Sequence, residues 1–325
     1  MPGRPQRRRL ECLVRNHVIA VTLLIPCYNA AAFLPRLMTS VRAQTRPFTH
    51  ILCYDDGSKD DTLAVARELG VEIIAGNPNR GVAYARNRLA AAAQTEWIHF
   101  HDADDRIAPE FVESLAPLCT DDIDVVFCDA DWIDEADSSL HVAWRYRDSD
   151  LSHDAAAHLL ANPLGLNSSI VRREAWRKLG GCDESLAIWE DADVHFRLAL
   201  NGARFRHLPQ VLTWSLRRDD SFSHDYRRNW RCRVQALEGY ATDARAAHLR
   251  PLIGAEAENA AVGSLQAGDP EGAKRAVSLC GRLGYRVPAT HNPLLRAIGL
   301  LLPGVTALRL RQWIRRHSAA TPRAA

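Results

Sequence analysis

Apolar and polar positions follow two rhythms along this chain, and the pattern changes near residue 150. In the first part, short β-branched and Leu runs recur at 21–26, 51–54, 71–75, 97–101 and 124–128, each suited to a buried strand. Between them, apolar residues fall at helical spacing. Phe33, Leu34, Leu37, Met38 and Val41 form one such face, an Ala-rich stretch covers 82–94, and a further helix is expected over 109–118. Ser58 and Asp61 predict a capping box for a helix that ends at Leu69, where Gly70 stops it. Alternation of strand and helix predicts an α/β fold with a mainly parallel, doubly wound sheet.

Beyond residue 150 the pattern is mixed. A helix near 153–160 precedes a strand-like run at 167–171, and a helix over 191–201 is closed by Gly202. Two strands are expected at 204–208 and 211–216, and from His224 onward the chain reads as helical, broken at Gly268-Asp269-Pro270. After Glu271 there is no acidic residue, whereas Arg282, Arg286, Arg296, Arg309, Arg311, Arg315 and Arg316 are all basic. With the apolar faces at 294–302 and 305–313, this tail is suited to peripheral contact with an anionic membrane surface. A basic helix pair packed on the main domain would carry the same pattern. Three segments result: a disordered, basic N-terminal tail over 1–19, an α/β domain over 20–225, and a helical region over 226–325 ending in the basic amphipathic tail.

Composition narrows the function. The chain is 47% hydrophobic and 25% charged, with a net charge of +2, which supports a proper core and argues against a nucleic-acid partner. The eight cysteines lack zinc or redox spacing and read as reduced core thiols. No apolar run reaches the length of a membrane span and none resembles a signal segment. The expected location is cytoplasmic, with peripheral contact at the inner face of the cytoplasmic membrane.

The candidate chemistry centres on Asp102-Ala103-Asp104, directly after the apolar run 97–101. Two carboxylates one residue apart at a strand's C-terminal end can share a hard divalent cation, Mg²⁺ or Mn²⁺. In open α/β sheets that edge is where ligands bind, and a cation there can hold a diphosphate. Asp105 reads as a solvated carboxylate ahead of the next helix. Tyr28 offers a ring face past the first strand, or a core tyrosine; Asp56 offers a carboxylate to a base N–H, or a turn cap. Arg80 and Arg86, near the start of the Ala-rich helix, suit a phosphate or surface ion pairs equally.

Five pieces then recur in order. They are Ile25-Pro26-Cys27-Tyr28-Asn29; Tyr54-Asp55-Asp56-Gly57-Ser58; Asn79-Arg80-Gly81 with Ala85-Arg86-Asn87; Phe100 to Asp105; and Gly180-Gly181-Cys182-Asp183-Glu184 followed by Trp189-Glu190-Asp191-Ala192-Asp193 and Arg197. Together they resemble glycosyltransferase family 2, over roughly residues 20–225. The resemblance implies a GT-A nucleotide-sugar-binding fold and an inverting transferase that moves a sugar from a nucleotide sugar, a UDP-sugar first, to a hydroxyl of a glycan or lipid-linked glycan in cell-surface polysaccharide or lipopolysaccharide assembly. It implies donor binding by Pro26, Tyr28, Asn29, Asp56, Arg80, Arg86 and Asp102, and metal binding by Asp104 and Asp102. Asp191 would be the general base, with Trp189 and Glu190 on the acceptor side. Arg217, Arg218, Ser221, Ser223 and His224 match a polar segment that closes over the diphosphate in relatives. The family has an apolar residue where His101 stands. The Gln-x-x-Arg-Trp motif of processive members is absent, so addition of one or a few sugars is expected. The competing readings are a catalytically inactive nucleotide-sugar binder and a nucleotidyltransferase. The latter would want a Gly-rich basic loop where Cys27-Tyr28-Asn29-Ala30 stands.

Overall fold

A computed structural model describes residues 19–218, 225–287 and 304–310. The N-terminal tail up to residue 18, Ser221, Ser223, His224 and the apolar face at 294–302 lie outside the described residues. The chain runs β1 (Val21–Cys27), α1 (Leu34–Arg42), β2 (His50–Asp55), α2 (Thr62–Glu68), β3 (Glu72–Ala75), α3 (Val82–Ala92), β4 (Trp97–Phe100), β5 (Arg106–Ile107) and α4 (Phe111–Leu115). It continues through β6 (Val125–Asp134), β7 (Leu140–Trp144), α5 (Asp148–Ala161), β8 (Ser169–Arg172), α6 (Arg173–Leu179), α7 (Glu190–Leu200) and β9 (Phe205–Arg217). Helices α8 (Tyr226–Thr242), α9 (Arg250–Gln266) and α10 (Pro270–Arg282) follow.

The strands form one sheet in the order β3-β2-β1-β4-β8-β6-β9-β5, with β7 beside β6. Strands β1 to β4 are parallel, and β8 enters antiparallel between β4 and β6. Side-chain alternation on β1 explains the two-sided burial. Val21, Leu23, Ile25 and Cys27 pack with α1 and α4, while Leu24 faces the layer of α3, α6 and α7. Right-handed crossovers require this arrangement. Stepping from β1 to β3 puts α1 and α2 on one face, and reversing direction to reach β4 puts α3 on the other. The reversal opens a crevice at the C-terminal ends of β1 and β4. Pro26 stands at its edge. It pairs with Tyr54 of β2, but the ladder to β4 ends at Leu24 opposite Phe100, so a residue without an N–H is tolerated in a central strand.

Three local expectations are corrected. The strands expected at 204–208 and 211–216 are one, β9, whose pairing with β6 slips around Asp129 near Pro209, a residue that cannot donate to a ladder. The Ser58–Asp61 capping box does not form. The Ser58 hydroxyl instead accepts the Asn29 N–H at 2.8 Å, Asp60 accepts the Thr62 N–H at 3.1 Å, and Asp61 makes no side-chain cap bond. Asp105 is buried rather than solvated, with 6% of its surface exposed, because it is a hub for three donors described below.

Helices α8 to α10 pack on α5 and α7 through a separate core that includes Leu160, Phe196, Leu237, Tyr240, Ile253 and Leu279. Among the described residues the seven cysteines are free and buried. No described helix is long and apolar enough to cross a membrane.

The Gly180-Gly181-Cys182 stretch owes its composition to packing. Asn87 of α3 donates to Cys182 C=O at 3.0 Å and accepts the Cys182 N–H at 2.8 Å. Gly181 lies against this clamp at φ +77°, where a Cβ would run into the Asn87 side-chain oxygen and approach Trp176 Nε1 to 3.1 Å. Gly202 has the same φ of +77° with nothing near its Cβ position. Alanine at both sites therefore separates backbone strain from collision. Gly181→Ala should cost about 2 kcal/mol more than Gly202→Ala in urea unfolding. Equal losses would show that the clamp does not restrict the site.

Candidate active site

Each wall of the crevice is set by a strand end or a helix start. On the β1 and β2 side, Tyr28 is 46% exposed and its ring face is open. Asn29 takes a left-handed φ of +52° and its side chain accepts the Lys59 N–H at 2.9 Å, which ties the Tyr28 loop to the segment after β2. Asp56 is buried. Its carboxylate accepts the Arg80 N–H at 3.0 Å and the Gly81 N–H at 2.7 Å and so anchors the loop before α3. Burial raises its pKa, and the two backbone bonds oppose that rise. Arg80 extends from the loop, half exposed, with its guanidinium 3.7 Å from the Tyr84 ring centre and 3.6 Å from Glu184.

Asp102 and Asp104 follow β4, with side chains 39% and 27% exposed. Arg86, projecting from α3, is 5% exposed and joins two carboxylates. One terminal nitrogen donates to Asp102 at 2.7 Å and the other to Glu190, while its Nε has no partner. Burial lowers the Arg86 pKa, but Asp102 and Glu190 outweigh burial and hold it above its ordinary value. Both carboxylate-directed nitrogens of Arg86 are thus taken. Asp104 accepts from Arg218 at 2.8 Å, and Arg36 donates to the Asp104 C=O at 2.8 Å. Burial and the neighbouring Asp102 charge raise the Asp104 pKa, against the pull of Arg218. Asp105 accepts from Leu216 N–H, Asn167 Nδ2 and the Ser215 hydroxyl, each at 3.0 Å, pinning the loop to the end of β9.

The third wall is the start of α7. Glu190 and Asp191 occupy its first turn, directly after Trp189, which holds a left-handed φ of +80°. An aromatic residue in that region stores strain of about 1–3 kcal/mol, maintained by its surroundings. The Trp189 ring turns toward the helical region, 4.7 Å from the Arg233 guanidinium and beside Leu159, Leu160 and Leu237. Asp191 Oδ1 accepts the Ala192 N–H at 2.7 Å. Burial raises the Asp191 pKa, Arg86 opposes it, and Asp102 adds to the rise. Burial likewise raises Glu190, with Arg86 opposing. Because Arg86 spans from Asp102 to Glu190, the Asp191 turn faces the same crevice as the Asp102 loop.

The donor set of Asp102 and Asp104 fits Mg²⁺ or Mn²⁺. Both are hard oxygen ligands, both are partly open to solvent, and like charge between them drives the Asp104 pKa up, a strain that a cation relieves. Among the described residues no group of three or more His, Cys, Asp or Glu is placed to hold a metal ion by itself.

Residues 22–180 match the family model described as Glycosyl transferase family 2. With the relatives and structures below, this match supports a family 2 glycosyltransferase. It is 32% identical over 122 residues to the uncharacterized glycosyltransferase YibD of Escherichia coli K12, which covers 36% of each chain. It spans 36% to 61% of the lengths of the first three curated relatives that it matches. The fold is that of GT-A structures. S. aureus TarS 1–349 in complex with UDP-GlcNAc aligns with a TM-score of 0.61 and 17% identity, over 82% of this chain and 80% of that one. The mannosyltransferase PcManGT of Pyrobaculum calidifontis, in complex with GDP-Man and Mn²⁺, aligns with a TM-score of 0.59 and 18% identity, over 90% and 86%.

Several residues that shape the family 2 crevice were not singled out by sequence. Asn167 and Ser215 are ordinary polar residues whose role depends on Asp105, which lies 62 and 110 positions away from them. Arg36 lies on the α1 surface and gives no local signal. His99, His101 and His195 sit in apolar runs, and burial holds them down at about 3, about 4 and about 4. They stay neutral when folded, whereas in the unfolded chain they take up protons near pH 6.5. The stability they contribute is complete above that pH and is lost as pH falls toward 4. Removing one should therefore flatten the acid side. In His99→Phe, the decline of unfolding free energy between pH 6 and 4.5 should be shallower than in the parent by about 1.4 kcal/mol per pH unit. Identical slopes would mean that His99 is protonated in the fold. Carboxylates with raised pKa values act in the opposite sense and cancel in this comparison.

Proposed function

We propose that this chain is an inverting, metal-dependent glycosyltransferase that moves a sugar from a nucleotide-sugar donor, a UDP-sugar first, to a hydroxyl of a glycan or lipid-linked glycan. The observation that carries it is the Arg86 bridge, which joins the loop bearing Asp102 and Asp104 to the turn bearing Asp191. In this reading residues 20–225 are the transferase domain and 226–325 a helical extension, at work in cell-surface polysaccharide or lipopolysaccharide assembly. The complexes of TarS with UDP-GlcNAc and of PcManGT with GDP-Man and Mn²⁺ support a nucleotide-sugar donor.

The exposed Tyr28 ring supports stacking of the base, with Pro26 and Asn29 shaping the loop and Asp56 beside it to accept a base N–H. Arg80 stands half exposed at the mouth, where a phosphate could compete with Glu184 for its guanidinium. Asp102 and Asp104 would hold Mg²⁺ or Mn²⁺, which when bound neutralises charge on a departing nucleoside diphosphate. Arg86 holds Asp102 and Glu190 apart from each other. Asp191 takes the proton of the acceptor hydroxyl. Its raised pKa makes its ionised form a stronger base than a solvated aspartate. Glu190 is committed to Arg86, so no second carboxylate is available as a covalent nucleophile and a single displacement inverts the anomeric centre. Trp189 would line the acceptor side by shaping the turn rather than by stacking, since its ring is held by Arg233.

Two variants test the assignment against a panel of nucleotide sugars. Asp191→Asn should lower turnover by about 10³-fold while UDP affinity stays within about twofold. Asp104→Ala should abolish the thermal protection that UDP gives only with Mn²⁺. Unchanged turnover in the first, or UDP binding unaffected by chelator in the parent protein, would contradict the roles given. Peripheral membrane contact through the basic tail rests on sequence alone. Changing Arg309, Arg311, Arg315 and Arg316 together to Gln should weaken sedimentation with phosphatidylglycerol vesicles by about 100-fold or more. Equal sedimentation would remove the tail as the contact.

A further inference from the structure

Three buried imidazoles have no task in the reading above. The hydrogen bonds of His99 and His195 fix the tautomers of those two rings. His99 Nδ1 lies 2.8 Å from the Ser169 C=O, and a carbonyl only accepts, so Nδ1 carries the hydrogen. The neutral ring then leaves Nε2 as an acceptor, for His101 Nδ1 at 3.3 Å. His195 Nδ1 lies 2.9 Å from the Asp191 C=O and must likewise donate. Its Nε2 is left as an acceptor 3.0 Å from the Ser169 hydroxyl, whose single hydrogen is shared with the Leu166 C=O at 3.3 Å. The β4 bonds end on the Ser169 main chain, and the Ser169 side chain begins the separate run to the first turn of α7.

The last bond lands on the peptide between Asp191 and Ala192. That unit is rigid and planar. It lies in the first turn of α7, where its C=O also meets the His195 ring and its N–H donates to Asp191 Oδ1 at 2.7 Å. Fixing one end of the plane fixes the other, and with it the carboxylate. We propose that His195, oriented by Ser169, is a positioning residue for the Asp191 carboxylate, acting through the Asp191–Ala192 peptide. Its catalytic meaning rests on Asp191 being the base; the geometry does not. An apolar side chain would fill the same fully buried space without the cost of satisfying two ring nitrogens, so packing alone does not account for a histidine here.

The test reads the Asp191 carboxyl directly, by ¹³C NMR titration of the full chain, with the signal assigned through its loss in Asp191→Asn. The other groups facing Asp191 are Arg86 from α3, Asp102 from the loop after β4, Glu190 beside it, Cys182 before α7 and Tyr146 before α5. All of them are present in every variant compared. His195→Leu should raise the Asp191 midpoint by about half a unit or more, because the peptide N–H that favours the ionised form is no longer held in place. His195→Asn keeps an amide donor where Nδ1 stood and should return the midpoint to that of the parent. Ser169→Ala should shift it upward by less. An unmoved midpoint in His195→Leu, or an Asn variant displaced as far as the Leu variant, overturns the proposal. Should His195→Leu fail to fold, Ser169→Ala and the ¹⁵N pattern of the parent ring decide. Protonated Nδ1 with bare Nε2 and an upward shift support the proposal, and the opposite tautomer or an unmoved midpoint overturns it. None of these readings needs turnover. If Asp191→Asn retains activity, the base assignment falls while the positioning result stands or falls on its own.

Discussion

A guanidinium buried between two carboxylates organises this protein's crevice. Arg86 is nearly inaccessible, and a charge so placed is tolerable only where opposite charge meets it. Asp102 comes from the loop after β4 and Glu190 from the first turn of α7, 88 residues apart in sequence as numbered, and each is satisfied by the same side chain. The bond pair therefore sets the distance between the two walls of the proposed active site. It also separates like charges. Without Arg86, Asp102, Glu190 and Asp191 would face one another in a partly dry space, where repulsion would push protons onto them.

The remaining supports hold this arrangement from outside. Asp105 locks the Asp102 loop to the end of β9, and Arg218, also from that end, meets Asp104 while lying over the Phe33 ring at 4.2 Å. On the other wall, Trp189 is held in a strained backbone conformation by contact with Arg233 of α8. Asp193, two residues beyond Asp191, accepts from Arg197 at 2.7 Å and from the Tyr240 hydroxyl of α8 at 3.0 Å. The helical extension is therefore tied to the turn that carries the proposed base. Strain at Trp189 and crowding of carboxylates are costs that a scaffold bears only when its surroundings enforce them, and both occur beside the same three residues.

Much of this was legible in the sequence, for identifiable reasons. Strands β1, β2 and β4 are buried on both faces, so they appear as unbroken apolar runs, and the residues at their C-terminal ends fall into the crevice by topology. The five family pieces fall on the walls of the crevice. What the sequence could not convey was the partner of each charge. Arg86 looked like a phosphate ligand because nothing local distinguishes a helix-borne arginine that faces solvent from one that faces two carboxylates. Asp105 looked solvated because its three donors come from three distant segments. Ser58 looked like a helix cap because its competing partner, the Asn29 N–H, lies 29 residues away. The two strands expected at 204–208 and 211–216 run on as one because β6 absorbs the residues between them with a slip in register.

The central claim, that Arg86 couples the two walls, is tested most directly by a double-mutant cycle on unfolding free energy with Arg86→Ala, Glu190→Ala and the pair. Either single change breaks the Arg86–Glu190 bond and leaves one of its two buried members behind, whereas the double change removes both, so the cycle should return a coupling of about 2 kcal/mol or more. A coupling indistinguishable from zero would mean that the two residues do not sense each other, and that the crevice is held together by something else.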